Sequence, residues 1–332
     1  MRINQFHVAK VSYLYRVKKI LIIRFSSIGD IVLTTPVVRC LKQQLTDVHI
    51  TYLTKSSFKS IVEENPFIDE VVTIKDKAEE ALDYLVKQDF DYVVDLHKNI
   101  RSKQVRKALK CDFGSFPKLN KEKFLLTKFK VNRMPEIHIV DRYFEAVKML
   151  GVKNDGKGLD HFIPKETFVN GLPERFVSFV IGGSFATKRM PAEKIKAIVD
   201  KTNLPVVLLG GGKDDAQSAK IIEESPNAVN LVNQISLAES AWVVKQSEKV
   251  VSHDTGLMHV AAAYQKEIIS IWGNTVPEFG MYPYLVENSH IIENKELSCR
   301  PCSKLGHAAC PKKHFKCMNE IAEERVINLL NI

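Results

Sequence analysis

No stretch of the 332-residue chain runs to the roughly 18 uninterrupted apolar residues that a membrane-spanning helix needs. The basic amino-terminal segment has no continuous apolar core and no small-residue cleavage site, so it does not read as a secretion signal. The expected location is therefore cytoplasmic, with residues 1–17 as an extension: either a basic arm touching a membrane or a disordered tail. Common phosphate-binding signatures are also missing. In LLGGGKDDAQ, the GxGxxG pattern fails because Asp215 or Ala216 stands where the last glycine belongs. The GxxxxGK[ST] pattern fails because Val207 holds the first glycine position and Asp214 follows Lys213. These absences weaken the ordinary dinucleotide and P-loop readings. There is no HExxH pair, no GxSxG elbow, no short-period repeat and no low-complexity tract.

Cysteine is sparse, six in all, and four of them crowd into CRPCSKLGHAACPKKHFKC as Cys299, Cys302, Cys310 and Cys317. The first pair has zinc-like CxxC spacing, but no second CxxC follows. Reduced cysteines packing a carboxy-terminal loop are the favoured reading, with zinc at these four the alternative.

Positive charge is what the chain has in excess. The formal net charge is +9, and residues 97–133 hold twelve Lys and Arg against Asp112 and Glu122. Such a run is either a solvated basic face or a surface for an anionic partner. Nucleic acid is not the expected partner, because Phe113, Phe116 and Phe124 are too few and too irregular to stack bases.

The apolar pattern alternates between short β-branched runs and helical spacing. KKILIIRF, VHITYLT, VVTI and DYVVDL read as strands, with helices over 78–88 and around 136–150. Glycine and proline gather over 151–175, and the rhythm then restarts with RFVSFVIG, PVVLLG, AVNLV, KVVSH and EIISIWG. The expected fold class is α/β, with two doubly wound parallel-sheet domains. The expected domains are 18–165 and 176–315, followed by a carboxy-terminal helix within 316–332.

Three stretches sit where a strand ends and a helix begins. In VVSHDTGLMHVAAA, Gly256 lets a phosphate approach the open N–H groups of a helix start. Thr255 adds a hydroxyl, and His259 follows on the same helix face. The alternative is Asp254 as a plain helix cap and His259 as a packed helix residue. In GGSFATKRMP, Lys188 is a point charge suited to a phosphate, with Ser184 and Thr187 as hydroxyl donors; the alternative is a mobile loop. In GGGKDD, Asp215 suits ribose hydroxyls or, more simply, the dipole of its helix. A fourth stretch, RFSSIGDIVLTTP, puts the lone acid Asp30 just after a strand, either as the acid of a helix start or as a working carboxylate.

Taken in order, RFSSIGDIVLTTP, DYVVDLHKNIRS, TKRMP, LLGGGKDD, ISLAES, HDTGLMHVAAA and IWGNTVPE resemble the family 9 glycosyltransferases, the heptosyltransferases of lipopolysaccharide core synthesis. The resemblance spans about residues 18–331. It implies a GT-B fold, two Rossmann-like domains facing across a cleft, and metal-independent inverting transfer from a nucleotide sugar, usually ADP-heptose. It implies Asp30 as the base, with Ser27, Gly29, Lys98 and Arg101 on the acceptor side. On the donor side it implies Ser184, Thr187, Lys188, Thr255 and Gly256 at the diphosphate and Asp215 at the ribose or adenosine. Ile235 would line the base pocket, and Asp254 and His259 would shape the sugar–phosphate end. The acceptor would be an anionic glycolipid, and peripheral contact with the inner membrane would bring Lys121 and Lys123 to lipid head groups. Two positions depart from the family pattern: His97 stands where glutamine is common, and Met190 where an aromatic is common. The competing readings are a non-catalytic nucleotide-sugar binder and a transferase using another nucleotide sugar.

Overall fold

The computed structural model describes residues 17–331; the amino-terminal extension lies almost wholly outside them. The described residues divide into two compact units. One takes the chain through Lys118 together with Ile139–Phe162; the other takes Leu119–His138 and everything from Ile163 onward.

The first unit is built on five parallel strands: β1 (Lys19–Ile23), β2 (His49–Lys55), β3 (Glu70–Ile74), β4 (Tyr92–Asp95) and β5 (Asp112–Ser115). Their order is β3-β2-β1-β4-β5. The inner strands are apolar on both faces, as helices covering both sides of a parallel sheet require. Leu21, Ile23, Leu53 and Val93 meet Leu85 and Val105 from the covering helices in one buried cluster.

The second unit repeats this plan with β6 (Val177–Val180), β7 (Val206–Leu209), β8 (Ala228–Asn230), β9 (Lys249–His253), β10 (Glu267–Trp272) and β11 (Ser289–Glu293). The order is β11-β10-β9-β6-β7-β8. In both sheets the strand order reverses beside the unit's first strand, between β1 and β4 and between β6 and β9. Ligands in open parallel sheets bind beyond the carboxyl ends at this reversal. The two points lie at the mouths of RFSSIGD and LHKNIRS in the first unit, and of GGSFATKRMP and HDTG in the second.

Three sequence expectations change. The helix expected around 136–150 is α-helical only over Ile139–Tyr143 and then tightens into a 3₁₀ turn over Phe144–Leu150. The carboxy-terminal helix is two pieces, Lys316–Asn319 and Glu324–Leu330. Cys317, Met318 and Ile321 share one buried cluster with Val326, Ile327 and Leu330. At about 100° per residue an unbroken helix would point these two groups in opposite directions, so the break lets both be buried. Short strands β5 and β11 are the third change: DFGS and SHIIE carry too little apolar pattern to be read as strands in isolation.

Candidate active site

The first unit places Asp30 in the turn of helix that follows β1. Ser27 precedes that turn, and its hydroxyl donates to Asp30 Oδ2 at 2.9 Å. The other carboxylate oxygen lies 2.7 Å from Arg24 Nη2. Arg24 is itself buried and donates to the carbonyls of Ser26 and Leu96 at 2.7 and 2.6 Å. Burial alone would lower its pKa, but Asp30 beside it, then Tyr143 and Tyr52, outweigh that and keep the guanidinium charged. Asp30 is thus held by a fixed cation at one oxygen and by Ser27 at the other, with its side chain 25% exposed. Ser27 is exposed, while Gly29 is packed inward.

Across the reversal, Asp95 at the end of β4 organises the LHKNIRS loop. Its Oδ1 accepts the N–H groups of His97 and Lys98 at 3.1 and 2.6 Å, and its Oδ2 accepts the Ser102 hydroxyl at 2.9 Å. The Ser102 and Asn99 side chains cap each other's backbone at the start of the helix Ile100–Leu109. Lys98 donates to the Phe116 carbonyl at 2.8 Å, and Arg101 lies over the Phe25 ring while donating to the Asp76 carbonyl. Part of the basic run is therefore structural. Arg106 is ion-paired to Asp95 at 3.0 Å and stacked over Phe113.

The second unit brings Lys188, Asp254, Thr255 and Gly256 together at its reversal. Lys188 Nζ lies 2.6 Å from Asp254 Oδ2 and 3.0 Å from the Asp254 carbonyl. Thr275, in the loop after β10, donates to the same Oδ2 at 2.8 Å. The helix Gly256–Ala263 starts immediately after, and Thr255 does not cap it with its own side chain; its hydroxyl lies 3.2 Å from Ser252 Oγ. The site thus pairs an ammonium group with a helix N-terminus whose orphan N–H groups favour an anion. Beneath it, His253 is fully buried and accepts the Met190 N–H at Nε2, 3.0 Å away. Met190 is a core residue here.

Other expected site residues are placed differently. Asp215 is only 3% exposed. Arg189 bridges Asp215 at 3.0 Å and Asp214 at 2.8 Å, and the Gly211 N–H takes the second Asp215 oxygen at 2.9 Å. A Cβ at Gly182 would sit 2.6 Å from Asp215 Oδ2, so glycine there is what admits the carboxylate. Asp215 therefore shapes the glycine loop from inside. Thr187 is buried and bonded both ways to His307: its N–H and hydroxyl meet the His307 carbonyl, and its hydroxyl accepts the His307 N–H at 2.8 Å. His259 is also buried. Ser184 is exposed, and Ile235 is half-buried beyond the end of β8, near Asn233, which bonds Gly212. Arg24, Asp95, Arg189 and Thr275 escaped sequence reasoning, although each lies within or beside a quoted motif.

The four clustered cysteines are all free thiols. Burial pushes the Cys317 thiol up to about 12, which makes it unreactive. Among the described residues, no group of three or more His, Cys, Asp or Glu side chains is arranged to hold a metal ion. A cavity of about 450 Å³ opens elsewhere in this unit, lined by Met134, Glu136, Pro277, Glu278, Tyr282 and Lys295 among others; no residue of the Lys188–Asp254 cluster lines it.

His253 gives the unit a pH dependence. Burial holds its pKa down at about 4, and the Gly182 backbone opposes this only partly. Between the ordinary histidine value of about 6.5 and about 4, the unfolded chain binds a proton that the native chain does not. Stability is therefore fully present above about pH 6.5 and falls as the pH drops, by up to about 1.4 kcal/mol per pH unit from this group. His97, held down to about 3 chiefly by burial and then by Arg24, acts in the same direction. Thermal midpoints at pH 7, 6 and 5 should decline in step, and less steeply in His253→Gln; a flat profile would contradict the assignment.

Two parallel-sheet α/β units, the second carrying an anion-ready helix start at its strand reversal, have the layout of the GT-B fold. The family model for glycosyltransferase family 9 (heptosyltransferase) matches residues 82–313. The lipooligosaccharide heptosyltransferase 2 of Campylobacter jejuni is 24% identical over 319 residues, covering 90% of this chain and 93% of that protein. The lipopolysaccharide heptosyltransferase 2 of Escherichia coli is 30% identical over 165 residues, 47% of this chain and 45% of that protein. Among solved structures, a family 9 glycosyltransferase from Veillonella parvula superposes with a TM-score of 0.75 at 23% identity, covering 94% of this chain and 95% of that one. E. coli heptosyltransferase WaaC, solved with ADP, superposes with a TM-score of 0.69 at 19% identity, covering 94% and 98%. The chain belongs to glycosyltransferase family 9.

Proposed function

We propose that the protein transfers a heptose from ADP-heptose to an anionic, lipopolysaccharide-core-type glycolipid, with inversion at the anomeric carbon and without a catalytic metal. An acceptor hydroxyl attacks the anomeric carbon of the donor. Asp30 takes the hydroxyl proton as the new C–O bond forms, and the bond to the diphosphate breaks with its electron pair leaving on ADP. Lys188 and the N–H groups at Thr255–Gly256 stabilise the charge that develops there. Before the donor arrives, Asp254 neutralises Lys188; the diphosphate competes for the same ammonium group.

The observation that carries this reading is the ammonium group of Lys188 held at an uncapped helix start by Asp254, itself fixed by Thr275. Two further points support it: the family match, and solved relatives described with ADP and with a fluorinated ADP-heptose. Lys98 and Arg101, beside Asp30's strand reversal, are the proposed contacts for acceptor phosphates or acidic sugars. Ile235 is the proposed wall of the adenine pocket, and Asp215 acts through the loop it organises.

Thermal stabilisation by nucleotides tests the donor. ADP at one hundred times its dissociation constant should add about 2.7 kcal/mol of stability. The expected result is a rise in melting temperature with ADP and ADP-heptose but not with UDP or GDP. A preference for UDP or GDP would keep the transferase and replace the donor. No response to any of them would favour a protein that has lost donor binding.

A further inference from the structure

The segment Leu119–His138 belongs to the second unit and carries five cations, Lys121, Lys123, Lys128, Lys130 and Arg133, against Glu122 and Glu136. It is fastened from beneath. Leu126 packs with Val276, Phe279 and Met134 in a small buried cluster. Lys130 donates to the carbonyls of Thr127, Cys299 and Pro301, and Lys123 leans over the Phe279 ring at 5.9 Å. Two of the five cations are thus turned to the protein.

The outward side is different. Phe124 is 56% and Phe129 60% exposed, yet the rings touch each other edge-to-face at 5.8 Å. Val131, Lys121, Lys128 and Arg133 are exposed within ten residues of them along the chain. Single exposed apolar residues are ordinary; two aromatic rings in contact, both more than half in water and flanked by three exposed cations, are not. Water is a poor solvent for the pair, and a protein core would not accept the lysines. The boundary between lipid head groups and acyl chains accepts both, because aromatic rings insert shallowly there while cations meet anionic phosphates.

We propose that Phe124 and Phe129 form a shallow aromatic wedge, on a segment whose Lys121, Lys128 and Arg133 are exposed, that docks this unit on an anionic bilayer surface. The proposal narrows the basic run to its working part: Lys121 faces lipid, whereas Lys123, Lys130 and Arg106 serve the fold. It rests on this surface alone and is independent of which sugar the enzyme transfers.

The test is co-sedimentation of the full chain with vesicles of phosphatidylcholine alone and with added phosphatidylglycerol, without donor or acceptor. Binding should require phosphatidylglycerol and weaken with salt. The double variant Lys121→Ser/Lys128→Ser should lose about 25-fold in affinity, roughly fivefold per lysine. Phe124→Ser/Phe129→Ser should lose about tenfold or more. Phe124→Trp should show a blue-shifted emission increment on vesicles that its parent lacks. An unchanged melting temperature in every variant certifies that the unit is folded. Absence of vesicle binding, or loss in the lysine variant with none in the phenylalanine variant, would overturn the wedge. So would binding of single-stranded RNA that these substitutions abolish while vesicles are ignored. None of these outcomes bears on transfer, so the transferase reading stands or falls separately.

Discussion

Asp30→Asn should lower turnover by about two to four orders of magnitude, the usual worth of a general base, while leaving ADP binding within about twofold. The amide is the better probe because it keeps the shape that Arg24 and Ser27 hold. Asp30→Ala would also strand the buried Arg24 guanidinium, and breaking a buried pair destabilises by about 3–5 kcal/mol, which confounds a loss of activity with a loss of fold. In the present geometry Arg24 lies 2.7 Å from one carboxylate oxygen and the Ser27 hydroxyl donates to the other, and the side chain is partly exposed. Single-turnover rates, with a melting curve and an ADP titration as controls, decide the matter. Turnover that survives in Asp30→Asn would reduce Asp30 to the acid of a helix start and the counter-charge of Arg24.

Lys188→Ala should weaken ADP binding by about tenfold to a hundredfold, the range expected for a hydrogen bond to a charged group. Two effects add. The ammonium is lost from the diphosphate, and Asp254, which it neutralises at 2.6 Å, is left facing the incoming phosphates. Thr275 still donates to Asp254, so the carboxylate should stay in place and the fold should hold. Calorimetry with ADP reads the effect directly, and the loss should shrink for adenosine, which has no diphosphate to lose. Equal binding of ADP by the variant and the parent would make Lys188 a clamp for Asp254 and move the diphosphate elsewhere.

Much of this was written locally. β-branched runs followed by glycine-bearing turns placed most strands, and the turns put Asp30, Lys188 and Thr255–Gly256 at strand ends. Those features need only neighbours in the chain, since periodicity and turn chemistry act over a few residues. The sequence also located the one region dense in positive charge.

What the chain did not disclose depends on partners far away in sequence. Whether a carboxylate faces a ligand or the interior is decided by what approaches it. Asp215 turns inward because Arg189 lies 26 residues earlier and Gly182 leaves room for it. Thr187 is committed to His307, 120 residues on, and Met190 to the core and to His253. The carboxy-terminal helix breaks because two apolar groups must reach one cluster from opposite faces. Likewise, the division of the basic run into fold-serving and outward cations follows from where Leu126 finds its pocket. Sequence by itself determined the two parallel α/β units and the motifs at their strand reversals, because hydrophobic period and turn chemistry are local. Tertiary structure alone decided which polar groups remain available for chemistry, because burying a charge is tolerable only where a partner from elsewhere in the fold meets it.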